Sequence, residues 1–388
     1  MDFSLTPEQE DLREAVRGIC SQFDLDYWYR CEENKEFPWD FYRAFAEGNW
    51  LGIVIPERWG GSGLGMLEAT LLQHEVAASG AGGNGVSALH LTIFGLNPVV
   101  KHGSDELRDR ILPRAVGGDL HVAFGVTEPD AGTDTTRITT FARRNNGGYV
   151  VNGRKIWMSK ALESEKVLLL TRTTKREDAA RRTDGMTLFL TDLKRDGFDI
   201  RPIPKLGRNA ISSNEVFIDD LEIPEEDRVG EEGQGFYYLL DGLNPERMLL
   251  AAAAIGGGRA ALRLATNYAN ERVVFGRPIG KNQSIQFPLA EAMANLDAAE
   301  LMLRKAATLY DAGKPCAREA NTAKYLAAEA GWAAADAAMQ THGGMSFAKE
   351  YHVGRLWTEA RLARIAPISQ QLVLSYLAEH VLGLPRSY

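Results

Sequence analysis

The hydrophobic period of this chain changes twice along its length, so no single type of regular element can account for it. From Thr6 to about Gly118 the apolar residues recur at helical intervals, as in Leu12, Val16 and Ile19 and again in Leu71, Leu72 and Val76. After His121 the signals are those of short strands. Candidates are Val167–Thr171, Met186–Leu190, Phe198–Ile203 and Glu215–Ile218, each bounded by Gly, Asp, Pro or Asn. Gly148 to Trp157 reads as two more strands joined by Asn152-Gly153, a strong two-residue hairpin signal. From Gly233 the period is helical again and rich in alanine, as at Ala251–Ala254 and Ala333–Ala338, which offers small faces for close helix packing.

Helices, then strands, then helices predict an α+β chain of three domains. Residues 1–120 form an all-α domain, residues 121–231 a β-barrel or sandwich, and residues 232–388 a bundle of four long antiparallel helices. A chain of 388 residues is longer than one hydrophobic core usually serves. The Gly-rich stretch Trp59–Gly65 has neither a preceding strand nor the full glycine fingerprint of a dinucleotide-binding turn, and reads as a loop.

Composition narrows the function. With 45% hydrophobic and 25% charged residues the chain is of the ordinary globular kind. A formal charge of −8 and no basic tail argue against nucleic acid and anionic membranes as partners, and against a DNA-associated binding protein of this fold. A small polyanion could still be held by local arginines and backbone amides. Cys20, Cys31 and Cys316 have no metal-site spacing and leave one thiol over in any disulfide scheme, which fits a reducing compartment; no metal site is expected. The acidic start, with Thr6 as cap, Pro7 at the first helical position and Gln9 completing a capping box, reads as a helix rather than a targeting peptide. No apolar run is expected to reach membrane-spanning length, and a cytoplasmic protein without membrane insertion is expected.

Two neighbouring motifs carry the chemistry. Phe124 to Asp134 contains Val126, Thr127, Gly132 and Thr133, with hydroxyls and backbone N–H groups that no side chain covers; Gly132 permits a left-handed backbone and a close ligand approach. Spacing alone favours an ordinary turn with capping threonines. Trp157-Met158-Ser159 ends a strand, so Trp157 and Ser159 share one face and Met158 takes the other. A ring and a hydroxyl on one face suit an isoalloxazine, although a Trp at a strand end is more often core.

These segments, with Lys205–Pro224, Arg272-Val-Val-Phe-Gly-Arg-Pro-Ile279, Gln340-Thr-His-Gly-Gly-Met345 and Lys349-Glu-Tyr351, resemble the signatures of the acyl-CoA dehydrogenase family, in the same order and over most of the chain. The resemblance implies a flavoenzyme that removes hydrogens from the α and β carbons of an acyl-CoA thioester. It places FAD against Phe124, Val126, Thr127, Gly132, Trp157, Met158 and Ser159, with Thr133 at the CoA arm. It implies a homo-oligomer, a dimer of dimers, in which a neighbouring protomer contributes Arg272, Phe275, Gln283, Gln340, Thr341, Gly343 and Gly344. Arg272 offers a fork to a pyrophosphate, and is also read as a cation at a helix C-terminus. His342 reads as packed rather than as a base. Ser369 and Gln371 align with flavin-contacting positions, and an electron-transfer flavoprotein is the implied electron acceptor.

Removing a proton beside a thioester needs a carboxylate held out of bulk water. Many family members carry it in a loop near the C-terminus, where this sequence reads Ile365-Ala-Pro-Ile-Ser-Gln-Gln371, and Pro367 occupies the glutamate position. Isovaleryl- and long-chain-type members place the base on a helix before an arginine, which resembles Glu246-Arg247 here. Glu246 is therefore the expected base, with Arg247 and Asn244 at the substrate. Asn244 replaces an acid found in some members, and Asn209 stands where the family often has Arg. The residues alone also allow Asn244 as a helix cap, Pro245 at the first helical position and Glu246 in the first turn, with Arg247 in a surface ion pair. The resemblance also implies that the Glu246 backbone N–H and a flavin ribityl hydroxyl bond the thioester carbonyl and so acidify the α-proton. A flavin-dependent oxidase or monooxygenase of the same fold, acting on a non-thioester substrate, is the alternative.

Overall fold

A computed structural model describes residues 3–387. Seven helices open the chain: α1 (Pro7–Cys20), α2 (Leu25–Asn34), α3 (Trp39–Glu47), α4 (Met66–Val76), α5 (Gly82–Phe94), α6 (Asn97–His102) and α7 (Asp105–Val116). At the start of α1, the Thr6 side chain accepts from Gln9 N–H and the Gln9 side chain accepts from Thr6 N–H, the reciprocal box its sequence predicts. The predicted loop at Trp59–Gly65 ends on Gly65, the residue before α4.

The central sheet is built from β1 (Val122–Gly125), β2 (Phe141–Asn145), β3 (Gly148–Ser159), β4 (Lys166–Arg172), β5 (Met186–Asp192), β6 (Phe198–Pro202), β7 (Ser213–Pro224) and β8 (Arg228–Val229). Its order is β6-β7-β3-β2-β4-β5-β8, with β1 added in parallel to β4. All four predicted strand segments are present. The predicted hairpin at Asn152-Gly153 is not, because β3 runs straight through it. Asn152 exchanges two hydrogen bonds with Asp220 on β7, both 2.9 Å, and a Cβ at Gly153 would lie 2.6 Å from Thr140 Cα. That glycine serves a close backbone approach. The hairpin turn is a different Asn-Gly pair, Asn146-Gly147, between paired Asn145 and Gly148, with Gly147 at φ 99°.

After the sheet come α8 (Gly235–Glu271), a short β9–β10 ribbon (Val273–Val274 and Arg277–Pro278), α9 (Gln283–Asp311), α10 (Ala317–His342), α11 (Val353–Leu362) and α12 (Gln370–His380). Small residues let α8 and α10 approach closely: a Cβ on Gly331 would lie 2.6 Å from Ala254 O. One core joins the first helical block to this bundle, through Val86, Leu89 and Phe94 of α5 and Met248, Leu249 and Ile255 of α8. The expectation that no apolar run is long enough to span a membrane fails for α8, whose length and composition pass that test among the described residues. More than half of its most apolar window is buried in the bundle, as in the core helix of a globular domain.

Candidate active site

The segment after β1 lies along β3. Ile156 N–H donates to Thr127 O at 2.9 Å, and Lys155 Nζ donates to Val126 O at 3.1 Å. Lys155 is fully buried and pairs with Glu128 at 2.9 Å. Glu128 also accepts from the N–H groups of Thr139 (2.7 Å) and Thr140 (3.0 Å) and from the Thr139 hydroxyl (2.9 Å). Burial pushes the Glu128 carboxyl up, but Lys155 and these donors outweigh it and hold the group below its ordinary range. Burial drives the Lys155 ammonium down to about 8 despite its partner. This buried pair pins the loop, and neither residue stands out in the sequence.

A register shift between Lys155 and Met158 breaks the β3–β7 ladder, and Trp157 stands there at φ 60°. Trp157 is 57% exposed, while Met158 is fully buried. The bulge exchanges the inward face of the strand, so the indole is held out of the core. Phe124, Val126, Thr127 and Ser159 are half-exposed beside it, and Gly132 and Thr133 are exposed. Gly132 is not in the left-handed region expected of it. Its contribution is openness, since a Cβ there would meet nothing within 4 Å.

A second group gathers at the far ends of α8 and α10. Arg272 caps α8, its N–H reaching Tyr268 O at 2.8 Å, so the position read as a helix-end cation is one. Phe275 stands wholly exposed at φ 50° in the turn of the β9–β10 ribbon, and Gln283 is exposed at the start of α9. His342 stacks on Tyr268 with centroids 4.5 Å apart and its Nδ1 faces Ala338 O at 2.8 Å, in keeping with a packed residue. Gln340 is exposed, and Gly343 and Gly344 present open backbone. Thr341 is buried, its hydroxyl donating to Ala337 O at 2.7 Å. Ser369 accepts from Leu372 N–H at 3.3 Å as the cap of α12, and Gln371 is exposed. Among the described residues no hydrogen bond, ion pair or ring contact within the chain joins this group to the Phe124–Ser159 wall.

Glu246 lies in neither group. Helix α8 begins at Gly235, so Pro245 is interior and Glu246 is not in a first turn, contrary to the capping alternative. Proline leaves the carbonyl four residues back without its helical donor, and Asn97 Nδ2 approaches Asp241 O at 3.4 Å instead. The half-buried Glu246 carboxylate has no hydrogen-bond or ion-pair partner among the described residues. Burial raises it to about 7, against the pull of Arg247. Within the helix its own N–H points at the carbonyl of residue 242, so the expected bond from that N–H to a thioester carbonyl is not available.

Arg247 is not in a surface ion pair. Its Nη1 donates to Asn244 Oδ1 at 3.1 Å, and its Nε is buried without a partner. Asn244 Nδ2 lies 3.9 Å from Cys316 Sγ. Pro245 and Phe94 share the lining of a cavity of about 150 Å³. The loop that lacks the glutamate, around Pro367, is tied down by buried Lys324, which donates to Ala363 O at 2.8 Å and Ile368 O at 2.9 Å. Nothing in the sequence separated Lys324 from the other lysines.

These residues fit a flavin dinucleotide. Two aromatic side chains, Trp157 and Phe275, are held in solvent on left-handed backbone, and three glycines, Gly132, Gly343 and Gly344, leave backbone uncovered. Exposed rings suit a flat ring system, and bare amides with Arg272 suit a pyrophosphate.

Comparison with known proteins finds relatives over the whole chain. The acyl-CoA dehydrogenase N-terminal, middle and C-terminal domains match residues 6–119, 123–221 and 233–382. The chain is 38% identical over 392 residues to acyl-CoA dehydrogenase FadE12 of Mycobacterium tuberculosis, covering 100% of this chain and 99% of that protein. It is 32% identical over 380 residues to an acyl-CoA dehydrogenase of Bacillus subtilis, covering 98% and 99%. Among solved structures, the glutaryl-coenzyme A dehydrogenase glutaryl-CoA complex superposes with a TM-score of 0.93 at 28% identity, covering 100% of this chain and 98% of that one. The FAD complex of PigA superposes with a TM-score of 0.91 at 27% identity, covering 99% and 100%.

Proposed function

This chain belongs to the acyl-CoA dehydrogenase family, and on that premise we propose that Glu246 is the base that takes the α-proton of its acyl-CoA substrate. The family assignment makes it an FAD-dependent oxidoreductase that dehydrogenates acyl-CoA thioesters. The observation that carries this proposal is the state of Glu246: a carboxyl without a hydrogen-bond or ion-pair partner among the described residues, raised to about 7 by burial, and next in sequence to Pro245, which lines a partly open cavity. A base needs a free oxygen and a pKa near the working pH, and both conditions are met.

FAD, when bound, supplies the two-electron acceptor for the hydrogen leaving the β carbon. Glu246 takes the α-proton, and the product is the trans-2-enoyl thioester. Trp157 and Phe124 wall the reaction off from water, while Thr127 and Ser159 offer hydroxyls to polar edge atoms. Thr133 lies toward the CoA arm. Asn244 acts on Arg247, holding its guanidinium beside the base. Arg272, Phe275, Gln283, Gln340, Gly343 and Gly344 would serve the flavin of a second protomer, since their own chain does not bring them to the wall. That division calls for a homo-oligomer, read as a tetramer. Electrons would leave to an electron-transfer flavoprotein, in the cytoplasm.

The test is anaerobic mixing of the FAD-loaded protein with a panel of acyl-CoA thioesters. Flavin bleaching in the native protein and its loss in Glu246→Gln, with flavin retained, is the expected result. Bleaching that persists in Glu246→Gln places the base elsewhere. No bleaching with any thioester favours an oxidase or monooxygenase acting on another substrate, a reading that the absence of an acid at Pro367 also permits.

A further inference from the structure

Two cations lie beside the proposed active site without carboxylate partners. Lys160, which follows Ser159 of the flavin wall, is fully buried and donates to Ala88 O at 2.9 Å. Arg208, on the loop before β7, stands at φ 58°; its Nη2 donates to the Ser87 hydroxyl and its Nε is buried without a partner. Neither makes an ion pair among the described residues. The nearest acids are already engaged. Glu32 accepts from Asn84 Nδ2 (2.9 Å), Asn209 N–H (2.7 Å) and Asn209 Nδ2 (2.8 Å). Glu359 accepts from Gly83 N–H (2.7 Å), Asn84 Nδ2 (3.1 Å) and Arg355 (3.1 Å). Glu163 acts on Lys160 only at longer range and accepts from the Ser212 hydroxyl at 2.6 Å.

Helix α5 connects these cations to the reacting end. Gly83, Ser87, His90 and Phe94 are spaced by four, three and four residues and form one stripe. Phe94 lines the cavity shared with Pro245, and its ring lies 5.8 Å from that of Phe124 in the flavin wall. His90 stacks on Phe94 at 5.2 Å, with a buried Nδ1 that has no partner. Ser87 meets Arg208, and a Cβ on Gly83 would lie 3.3 Å from Arg208 Cδ. The seven residues from Phe94 to Ser87 span about 10 Å of helix. His90 is driven down to about 3 by burial first and then by the fields of Arg208 and Lys160. Glu359 and Glu32 pull on Arg208 and Glu163 on Lys160, but burial outweighs them and draws both cations down, Lys160 to about 7; an anion hydrogen-bonded to the pair would offset that burial.

We propose that Ser87, His90, Lys160 and Arg208 form the distal end of the acyl pocket, and that the preferred substrate carries a carboxylate at the far end of its acyl chain. Arg208 receives that carboxylate, and Lys160 supplies the second positive charge. The inference rests on the acyl-CoA reading for the position of the thioester, but concerns recognition rather than the base.

The test is calorimetric titration of the FAD-loaded full chain with pairs of CoA thioesters of equal length, one ending in a carboxylate and one in a methyl group. The carboxylate-ended thioester should bind at least about tenfold more tightly at the best length, as charge-assisted hydrogen bonds would give. Arg208→Gln should collapse that ratio towards one, and Arg208→Lys should keep part of it. Lys160→Gln should lower the ratio independently and serves if Arg208→Gln does not fold. Equal or tighter binding of the methyl-ended thioester overturns the proposal, as does an unchanged ratio in Arg208→Gln. Equal binding with full flavin bleaching removes this inference and leaves desaturation standing. A binding preference without bleaching supports this inference and removes the base assignment. No binding by either thioester overturns both.

Discussion

Replacing Glu246 by glutamine should make the protein more stable at alkaline pH while removing its desaturase activity. The carboxyl moves from 4.5 to about 7 on folding, chiefly through burial. At about 1.4 kcal/mol per pH unit that is roughly 3 kcal/mol against the ionised form, which partial exposure reduces to about 2 kcal/mol. Between the two values the folded chain holds a proton that the unfolded chain has lost, so stability falls as pH rises through that window and is level above about 7. Glutamine cannot ionise and lacks the slope. Denaturant midpoints of native and Glu246→Gln protein, at one protein concentration and with excess FAD, should agree near pH 4 and diverge by about 2 kcal/mol in favour of the variant near pH 8. In the native enzyme kcat/KM should rise about tenfold per pH unit up to about 7 and then level, because the base acts deprotonated, and the variant should lose about 10² to 10⁴ in rate. A variant no more stable at pH 8, or a native rate flat across that window, refutes the claim that burial tunes this carboxyl.

Other perturbations separate structure from cofactor binding. Lys155→Met leaves Glu128 buried without its cation and should cost about 3–5 kcal/mol, read by denaturation, together with a lower flavin-to-protein ratio. Lys324→Met strips two loop carbonyls of their donor, and about 1–3 kcal/mol of lost stability should accompany a raised KM for acyl-CoA. Gly147→Ala, at φ 99° in the hairpin turn, should cost about 1–2 kcal/mol. Gly132→Ala should leave stability unchanged, because a Cβ there meets nothing, yet weaken FAD retention measured by dilution and gel filtration.

Much of the architecture is legible in the residues themselves because it follows from local rules. Thr6, Pro7 and Gln9 are enough to start α1, the strand segments around Val167 and Met186 declare themselves by bounded apolar runs, and the alanine faces of α8 and α10 foretell close packing. The order of the family signatures, and the exchange of an acid at Pro367 for one at Glu246, are also sequence properties. The chain has three Asn-Gly pairs, however, and local preference cannot say which one turns: Asn84-Gly85 lies inside α5, and Asn152 is committed to Asp220, 68 residues away. Pro245 imitates a helix start because its missing N–H is harmless there, yet α8 extends ten residues further back and Asn97 covers the exposed carbonyl.

Element types, domain order and family identity therefore follow from the residues alone. Tertiary structure alone decided that Trp157 faces outward, since only the broken β3–β7 register sets it there. It also decided that Lys155, Lys160 and Lys324 are buried, and that Glu246 has no partner. A lysine or glutamate codon carries no sign of its burial. Desolvation and pairing arise from elements distant in sequence, and those two quantities set the chemistry of this site.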